Sequence, residues 1–353
     1  MESASCDIMR LPRELLAVIV SLTSPPDACR AAAVSRAFCA AADSDAVWSC
    51  FLPSDLPRFA EGELPPIPPS TKKGTFLRLS RLSVLLPCRL RSMRLDRFSG
   101  AKCYTLLARA LRISWDVTPD CWKWIRIDES KANTRPFEAA ELLGVVRLKI
   151  RGTIHSTMLS RNTTYGVYLV FKLASTGFYG LDFPFQHAFV SAGGRASTRQ
   201  VCVQGYDITG RDNGMPPRHI FGSRVGNKVY HYELPLTDDI ILPRYRNGGW
   251  MELELGEFYN KEGYDGKVSV GLTETKGVFK SGLIVAGIQI RSNPHDASCE
   301  HAAASASTSH HTAASSEYAV TSIYRTAAAH SDDHDAAASI YPTGHDRCPR
   351  GRS

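Results

Sequence analysis

Residues 11–53 read LPRELLAVIVSLTSPPDACRAAAVSRAFCAAADSDAVWSCFLP, and this stretch decides how the first part of the chain folds. Apolar residues recur at helical spacing at its start, namely Leu11, Leu15, Val18, Ile19 and Leu22. Pro12 suits a first helical position, where its missing N–H costs nothing. The pattern predicts a helix here.

Two further helices are predicted in the same stretch. Ser24 followed by Asp27 is typical of a capping box and predicts the start of a second helix. The apolar side of that helix comprises Ala31, Ala32, Val34 and Phe38. A third short helix is predicted around Trp48, after a cap at Asp43 or Ser44.

In order and spacing, this three-helix stretch (residues 7–53) resembles the F-box. The resemblance implies docking onto the Skp-type adaptor of a Skp–cullin–F-box ubiquitin ligase and, through the adaptor, contact with the cullin. A module this small has more apolar surface than its own core can bury, which fits a partner-bound role. The predicted anchors for the adaptor are Leu11, Pro12, Ile19, Val34, Trp48 and Phe51. The alternative interpretation is that these residues only form an internal core.

Residues 54–100 are predicted to form a connector, which is first Pro-rich and then basic and Leu-rich. The residues predicted to pack as a helix against the first module are Phe76, Leu77, Leu79, Leu82 and Leu85. Between Thr71 and Arg112 there are eleven Lys or Arg residues and a single acid, Asp96. Such a stretch can bind nucleic acid or an anionic membrane, or it can be the solvated side of a linker. No aromatic platform accompanies it, so neither nucleic acid nor membrane is predicted as a partner.

Residues 101–293 change to a period of two, which is typical of strands. Val146, Leu148 and Ile150 alternate with basic residues, and Met251, Leu253 and Leu255 are spaced in the same way. Tyr165 to Phe171 and Leu283 to Ile290 are apolar runs that predict central strands. Many short strands without intervening long helices predict an antiparallel β-sandwich. The fold class expected for the whole chain is therefore α plus β in separate domains.

The second domain also carries segments that resemble the phloem protein 2 and tobacco lectin (Nictaba-type) family. These segments are Lys102–Tyr104, Ile113–Trp115, Trp122–Trp124, Ala140–Leu143, Tyr168–Lys172, Gly249–Phe258 and Gly282–Arg291. The resemblance implies a jelly-roll-like lectin domain that binds N-acetylglucosamine (GlcNAc) oligomers and N-glycan cores.

The same resemblance implies carbohydrate-binding roles for Trp115, Trp122 and Glu274. An aromatic face packs against the C–H groups of a pyranose, and a carboxylate accepts hydrogen bonds from its hydroxyls. Without the resemblance, a core role is the commoner one for tryptophan in a sandwich, and Trp124 and Trp250 are predicted to be core. Lys267 stands where the lectins usually carry an acid, which replaces an acceptor with a cation.

The remaining sequence limits the function classes. Residues 294–353 are rich in Ala, Ser and His without apolar periodicity and are predicted to be disordered. No secretory signal and no run of 18 apolar residues is present, so the cytoplasm, the nucleus or both are expected. The ten cysteines are scattered without a CxxC pair, which indicates free thiols. No catalytic, phosphate-cradle or metal-ligand motif is present, so neither a cofactor nor catalysis by this chain is predicted.

The sequence thus predicts a non-catalytic substrate-recognition subunit of a ubiquitin ligase, whose β-domain holds a target protein or a glycoprotein. Two alternatives remain open. The protein could be a carbohydrate-binding stress-response lectin without a ligase role. Alternatively, the β-domain could recognise a protein surface and bind no sugar.

Overall fold

The fold is taken from a computed structural model that describes residues 8, 11–63, 71–114, 118–128, 136–182, 184–204, 221–225, 228–232 and 240–293, with backbone only between 221 and 232. The first module contains four short helices, α1 (Arg13–Ser21), α2 (Pro25–Ala31), α3 (Arg36–Ala42) and α4 (Asp45–Phe51). The capping box at α2 is confirmed, because the Asp27 N–H donates to Ser24 Oγ. The Ser24 hydroxyl and the Arg30 guanidinium donate to the Asp27 carboxylate and hold its pKa below the ordinary value.

The predicted second helix is in fact two helices. α2 ends at Ala31, and α3 begins after Ser35, whose Oγ accepts a hydrogen bond from the Phe38 N–H at 3.3 Å. A serine hydroxyl that satisfies a free N–H favours a helix start over a helix interior. As a result, Val34 lies in the exposed turn while Phe38 is buried.

The connector is part of the folded structure. It contains α5 (Lys72–Arg81), β1 (Val84–Leu85) and β2 (Arg91–Leu95). Phe76 and Leu79 of α5 are buried, and the Phe76 ring lies 5.2 Å from the Trp48 ring, centroid to centroid. Leu82 and Leu85 were predicted to belong to the helix, but α5 ends at Arg81, and β1 and β2 already belong to the main sheet.

The second domain is an antiparallel β-sandwich. Its further strands are β3 (Lys102–Leu107), β4 (Arg112–Ile113), β5 (Trp122–Ile127), β6 (Phe137–Leu142), β7 (Leu148–His155), β8 (Thr163–Leu173), β9 (Gln186–Ala192), β10 (Arg195–Val201), β11 (Phe221–Val225), β12 (Lys228–Tyr232), β13 (Arg244–Tyr245), β14 (Met251–Asn260), β15 (Lys267–Glu274) and β16 (Leu283–Ser292). One sheet has the order β1-β2-β3-β16-β8-β14-β13, with β6 added beside β16 and β5 beside β6. The second sheet has the order β10-β9-β15-β7-β4, and β11 and β12 form a hairpin.

The strand patterns read from the sequence are confirmed. In β7 the buried residues Leu148, Ile150 and Ile154 alternate with exposed ones, so one face of this strand is in the core. β8 is buried on both sides over much of its length and lies between β16 and β14. The predicted disorder of residues 294–353 falls outside the described residues.

The helices and the sandwich share one hydrophobic core and belong to one compact unit. Lys102 of β3 is buried, and its Nζ lies 2.6 Å from Oδ2 of Asp55. Asp55 follows the helical module in the chain, so this ion pair joins the two modules. Gly100 lies in the turn between β2 and β3, has φ +72° and packs against the end of α4. A Cβ at this position would lie 2.4 Å from the backbone oxygen of Phe51, the last residue of α4. The backbone of the sandwich therefore packs directly against the backbone of the helical module at this point.

We expect Gly100→Ala to lower the free energy of unfolding by about 2 to 3 kcal/mol, since left-handed φ costs a non-glycine residue about 1 to 3 kcal/mol and the contact with Phe51 adds to it. The matched control is Gly62→Ala, which has φ +78° with no atom within 4 Å of the added Cβ. The difference between the two variants in the free energy of unfolding, measured by urea denaturation, gives the cost of the contact with Phe51. Equal losses would contradict the close approach between the modules.

Candidate binding surfaces

Helix α1 is apolar on two sides. Leu16, Ala17 and Val20 are buried against the other helices. Four further apolar residues at i, i+3, i+4 and i+7 point outward and form what we term the α1 apolar face: Leu15, Val18, Ile19 and Leu22. Val18 is 56% exposed and Leu22 68% exposed. A short surface helix usually has one apolar side, so the second one is free for another polypeptide.

The residues predicted to anchor an adaptor fall into two groups. Pro12, Ile19 and Val34 are exposed, and Leu11 is half-buried against the core. Trp48 and Phe51 lie in the interior, where Trp48 Nε1 donates to Ala42 O at 2.6 Å. These two residues therefore build the module and are not on its free surface.

Leu15, Val18 and Leu22 were recognised in the sequence as helical but not as surface residues. The signal that could have found them is the presence of Leu16 and Val20 in the same helix. Those two residues supply the inner side of the helix, so the α1 apolar face is a second apolar side that the module's core does not need.

Two of the three predicted carbohydrate-binding residues, Trp122 and Glu274, lie in the interior. Trp122 is 2% exposed and its Nε1 donates to Ser114 O at 3.1 Å, so its ring faces belong to the core. A sugar needs an accessible ring face, which Trp122 does not present in this structure, and its carbohydrate-binding role stays a prediction. Trp115 lies outside the described residues.

Glu274 is also buried. Its carboxylate contacts the ammonium of Lys280, and its Oε1 accepts a hydrogen bond from the Lys276 N–H at 2.5 Å. Lys280 is fully buried and donates to Val278 O at 2.6 Å. This ion pair holds the segment after β15 in place and occupies the Glu274 carboxylate within the fold. Its carbohydrate-binding role stays a prediction. Lys267 is exposed at the start of β15.

The two tryptophans that were predicted to be core, Trp124 and Trp250, each have a cation over the ring. The Arg109 guanidinium lies 3.7 Å from the Trp124 ring centroid and also donates to the Glu138 carboxylate at 2.9 Å, which lowers the pKa of Glu138. Trp250 is buried beneath Lys172. Trp250 is therefore enclosed, whereas Trp124 is half-buried with one ring face covered by Arg109.

An exposed apolar patch lies at one end of the sandwich. Its residues, which we term the loop-end patch, are Leu143, Val146, Phe178, Tyr179 and Phe279. The Tyr179 and Phe279 rings are 6.5 Å apart, centroid to centroid. A Cβ on Gly144 would lie 2.7 Å from the Phe279 ring, so that ring rests on the glycine backbone.

A basic pocket opens on the five-stranded sheet. Its volume is about 200 Å³, and its lining consists of Arg112, Ile113, Ser114, Lys149 and Arg151. Three of the five lining residues are cations, which favours an anionic ligand.

Metal-binding clusters, disulfide bonds and membrane-spanning helices are absent from the described ranges. Those ranges hold no group of three or more His, Cys, Asp or Glu side chains placed to bind a metal ion. The cysteines within them, Cys29, Cys39, Cys50, Cys88, Cys103, Cys121 and Cys202, are free thiols. None of the described helices has the length and apolarity needed to cross a membrane.

The structure thus defines a two-module protein: a helical module with an exposed apolar face is joined through a common core to a β-sandwich with its own exposed patch and pocket. Comparison with known proteins assigns both modules. The F-box-like family model matches residues 8–53, and the phloem protein 2 model matches residues 101–292.

Whole-chain relatives agree with both matches. "F-box protein PP2-B1" of Arabidopsis thaliana is 34% identical over 80% of this chain and 88% of its own length, and "F-box protein VBF" of the same plant is 34% identical over 80% and 99%. The chain belongs to the family of plant F-box proteins with a phloem protein 2 domain. This membership supports a role in substrate recognition. A xylan-binding domain of Paenibacillus barcinonensis Xyn10C covers 53% of this chain and 87% of its own, at 10% identity and a TM-score of 0.26, which is too low to indicate a shared fold.

Proposed function

We propose that this protein is the substrate-recognition subunit of a Skp–cullin–F-box ubiquitin ligase and performs no catalysis itself. The observation that carries the proposal is the α1 apolar face, which is left uncovered although the helix already has an inner apolar side. A Skp-type adaptor would cover this face, and the cullin would be reached through the adaptor. We place this role in the cytoplasm, the nucleus or both.

The β-domain then holds the target. The shared core fixes the position of the sandwich relative to the F-box, so a bound target is held at a defined distance from the ligase. The loop-end patch supplies exposed aromatic rings, which are frequent anchors in protein interfaces.

We favour a protein surface over a glycan as the target feature. Trp122 and Glu274, which the lectin resemblance implicates, both lie in the interior. A glycoprotein could still be the target if its polypeptide part makes the contact.

The decisive experiment is a binding measurement between the full chain and a Skp-type adaptor under reducing conditions. We expect Val18→Glu plus Ile19→Glu to weaken binding by roughly 30-fold or more, because losing even one central apolar anchor costs about 2 kcal/mol or more. Glutamate is a good helix former, so α1 should stay folded.

The matched control is Leu90→Glu, which changes a similarly exposed apolar residue in the turn between β1 and β2. It should leave the affinity for the adaptor unchanged. Binding that is insensitive to both changes in α1 would reject this docking face. No adaptor binding together with retention on GlcNAc oligomers would favour the stress-response lectin.

A further inference from the structure

The three cations of the basic pocket lie on one face of the five-stranded sheet. Arg112 of β4 is the direct cross-strand partner of Arg151 of β7. The next pair, Ile113 and Ile150, is buried, so both arginines point outward. Lys149 is two residues before Arg151 and therefore lies on the same face of β7.

This arrangement is unfavourable for an empty surface. Like charges directly opposite each other in an antiparallel pair have Cβ atoms about 5 Å apart and repel. Over the part of the chain that the structure describes, none of Arg112, Lys149 and Arg151 forms an ion pair with a carboxylate. Elsewhere in the same domain, Arg199 is paired with Glu254, and Arg291 with Glu252. The local feature of this pocket is that three such cations lie together on one face.

Arg151 is held in position by an aromatic ring. The Arg151 guanidinium lies 5.5 Å from the Phe189 ring centroid, across the neighbouring strand β15. Between them lies Gly271, where a Cβ would be 2.9 Å from the Phe189 ring and 2.2 Å from Ile150 O. The absent side chain lets the ring and the guanidinium approach over β15. A cation–π contact of this kind orders an arginine without neutralising it.

We infer that the basic pocket binds a phosphoryl group carried by a serine or threonine of the target polypeptide. The inference rests on the proposed function, because it names the feature of the target that the β-domain recognises. A pocket of about 200 Å³ is smaller than typical sites for drug-sized ligands, so it suits one compact group. Three cations match a phosphoryl group, with a charge of about −1.5 to −2 at pH 7, better than a single carboxylate. Arginine adds planar, paired donors that fit phosphate oxygens.

The test uses the full chain and three immobilised degenerate peptide libraries at physiological salt. The central residue is phosphothreonine, threonine or glutamate. We expect at least about tenfold greater retention on the phosphothreonine library than on either of the others. The variants Arg112→Gln and Arg151→Gln should each reduce that retention by about tenfold. The matched control is Arg195→Gln on β10, at the opposite edge of the same sheet, which should change nothing.

Equal retention on the three libraries would overturn the inference. So would an equal loss in the Arg195→Gln control, since that result indicates general attraction of polyanions. Adaptor binding is measured on the same preparations and reports their folding. Normal adaptor binding without phosphothreonine selectivity removes this inference alone, whereas selectivity without adaptor binding removes the ligase role alone.

Discussion

Replacing Trp48 with alanine should lower the free energy of unfolding by about 3 to 5 kcal/mol, which is the usual cost of deleting a large buried aromatic ring. Trp48 is fully buried. Its ring packs edge-on against Phe51 at 5.5 Å and in a tilted arrangement against Phe76 at 5.2 Å, centroid to centroid. Its Nε1–H also satisfies Ala42 O. The substitution would thus open a cavity between the F-box helices and α5 of the connector, and leave a carbonyl without its partner.

Chemical denaturation measures this loss, with Val34→Ala as the matched control in the same module. Val34 is 62% exposed, so the control should change stability by no more than about 0.5 kcal/mol. A loss below about 1 kcal/mol for Trp48→Ala would contradict its place in the core.

Trp48→Phe separates a core role from an adaptor contact. Phenylalanine keeps most of the packing, so the variant should fold at low temperature and bind the adaptor within about threefold of the wild type. A much larger loss of affinity in the folded variant would indicate that Trp48 contacts the adaptor directly.

The second large effect concerns the buried pair of Glu274 and Lys280. We expect Lys280→Met to cost about 3 to 5 kcal/mol, because it leaves the Glu274 carboxylate buried without its counter-charge. Both side chains are almost fully excluded from solvent, so water cannot replace the lost partner. The same change also removes the hydrogen bond to Val278 O.

The double variant Glu274→Gln plus Lys280→Met should recover about 1 to 3 kcal/mol, as expected for two directly coupled residues. Lys276→Met is the control, since Lys276 contacts Glu274 through its backbone N–H and its side chain is exposed. That control should be within about 0.5 kcal/mol of the wild type. Additive losses in the double variant would show that the two side chains are not coupled.

This ion pair also bears on binding. Phe279 of the loop-end patch immediately precedes Lys280, and the backbones of Lys280 and Val145 exchange hydrogen bonds at 2.7 and 3.0 Å. The buried charges therefore position an exposed aromatic residue. The Glu274 carboxylate is thus coupled to the loop-end patch although it is itself buried.

Local features of the fold could be predicted from the sequence. The start of α2 at Ser24 depends on a hydroxyl and an N–H three residues apart, and the alternation in β7 depends on a side-chain period of two. The break between α2 and α3 was missed because the alanine-rich run around it has no strong helix breaker, and Ser35 acts only as a cap.

What the sequence alone determined is most of the elements and the two domains they compose, since caps, side-chain periods and motifs all act over a few residues. Only the tertiary structure decided which side of each element is free. Trp48, Trp122 and Glu274 look suitable for binding in the sequence, yet Phe76, Ser114 and Lys280 meet them from other segments and enclose them. The pairing of Arg112 with Arg151 likewise arises only when β4 is placed beside β7. Burial and charge proximity depend on how the elements pack against one another in three dimensions, and no local pattern encodes that packing.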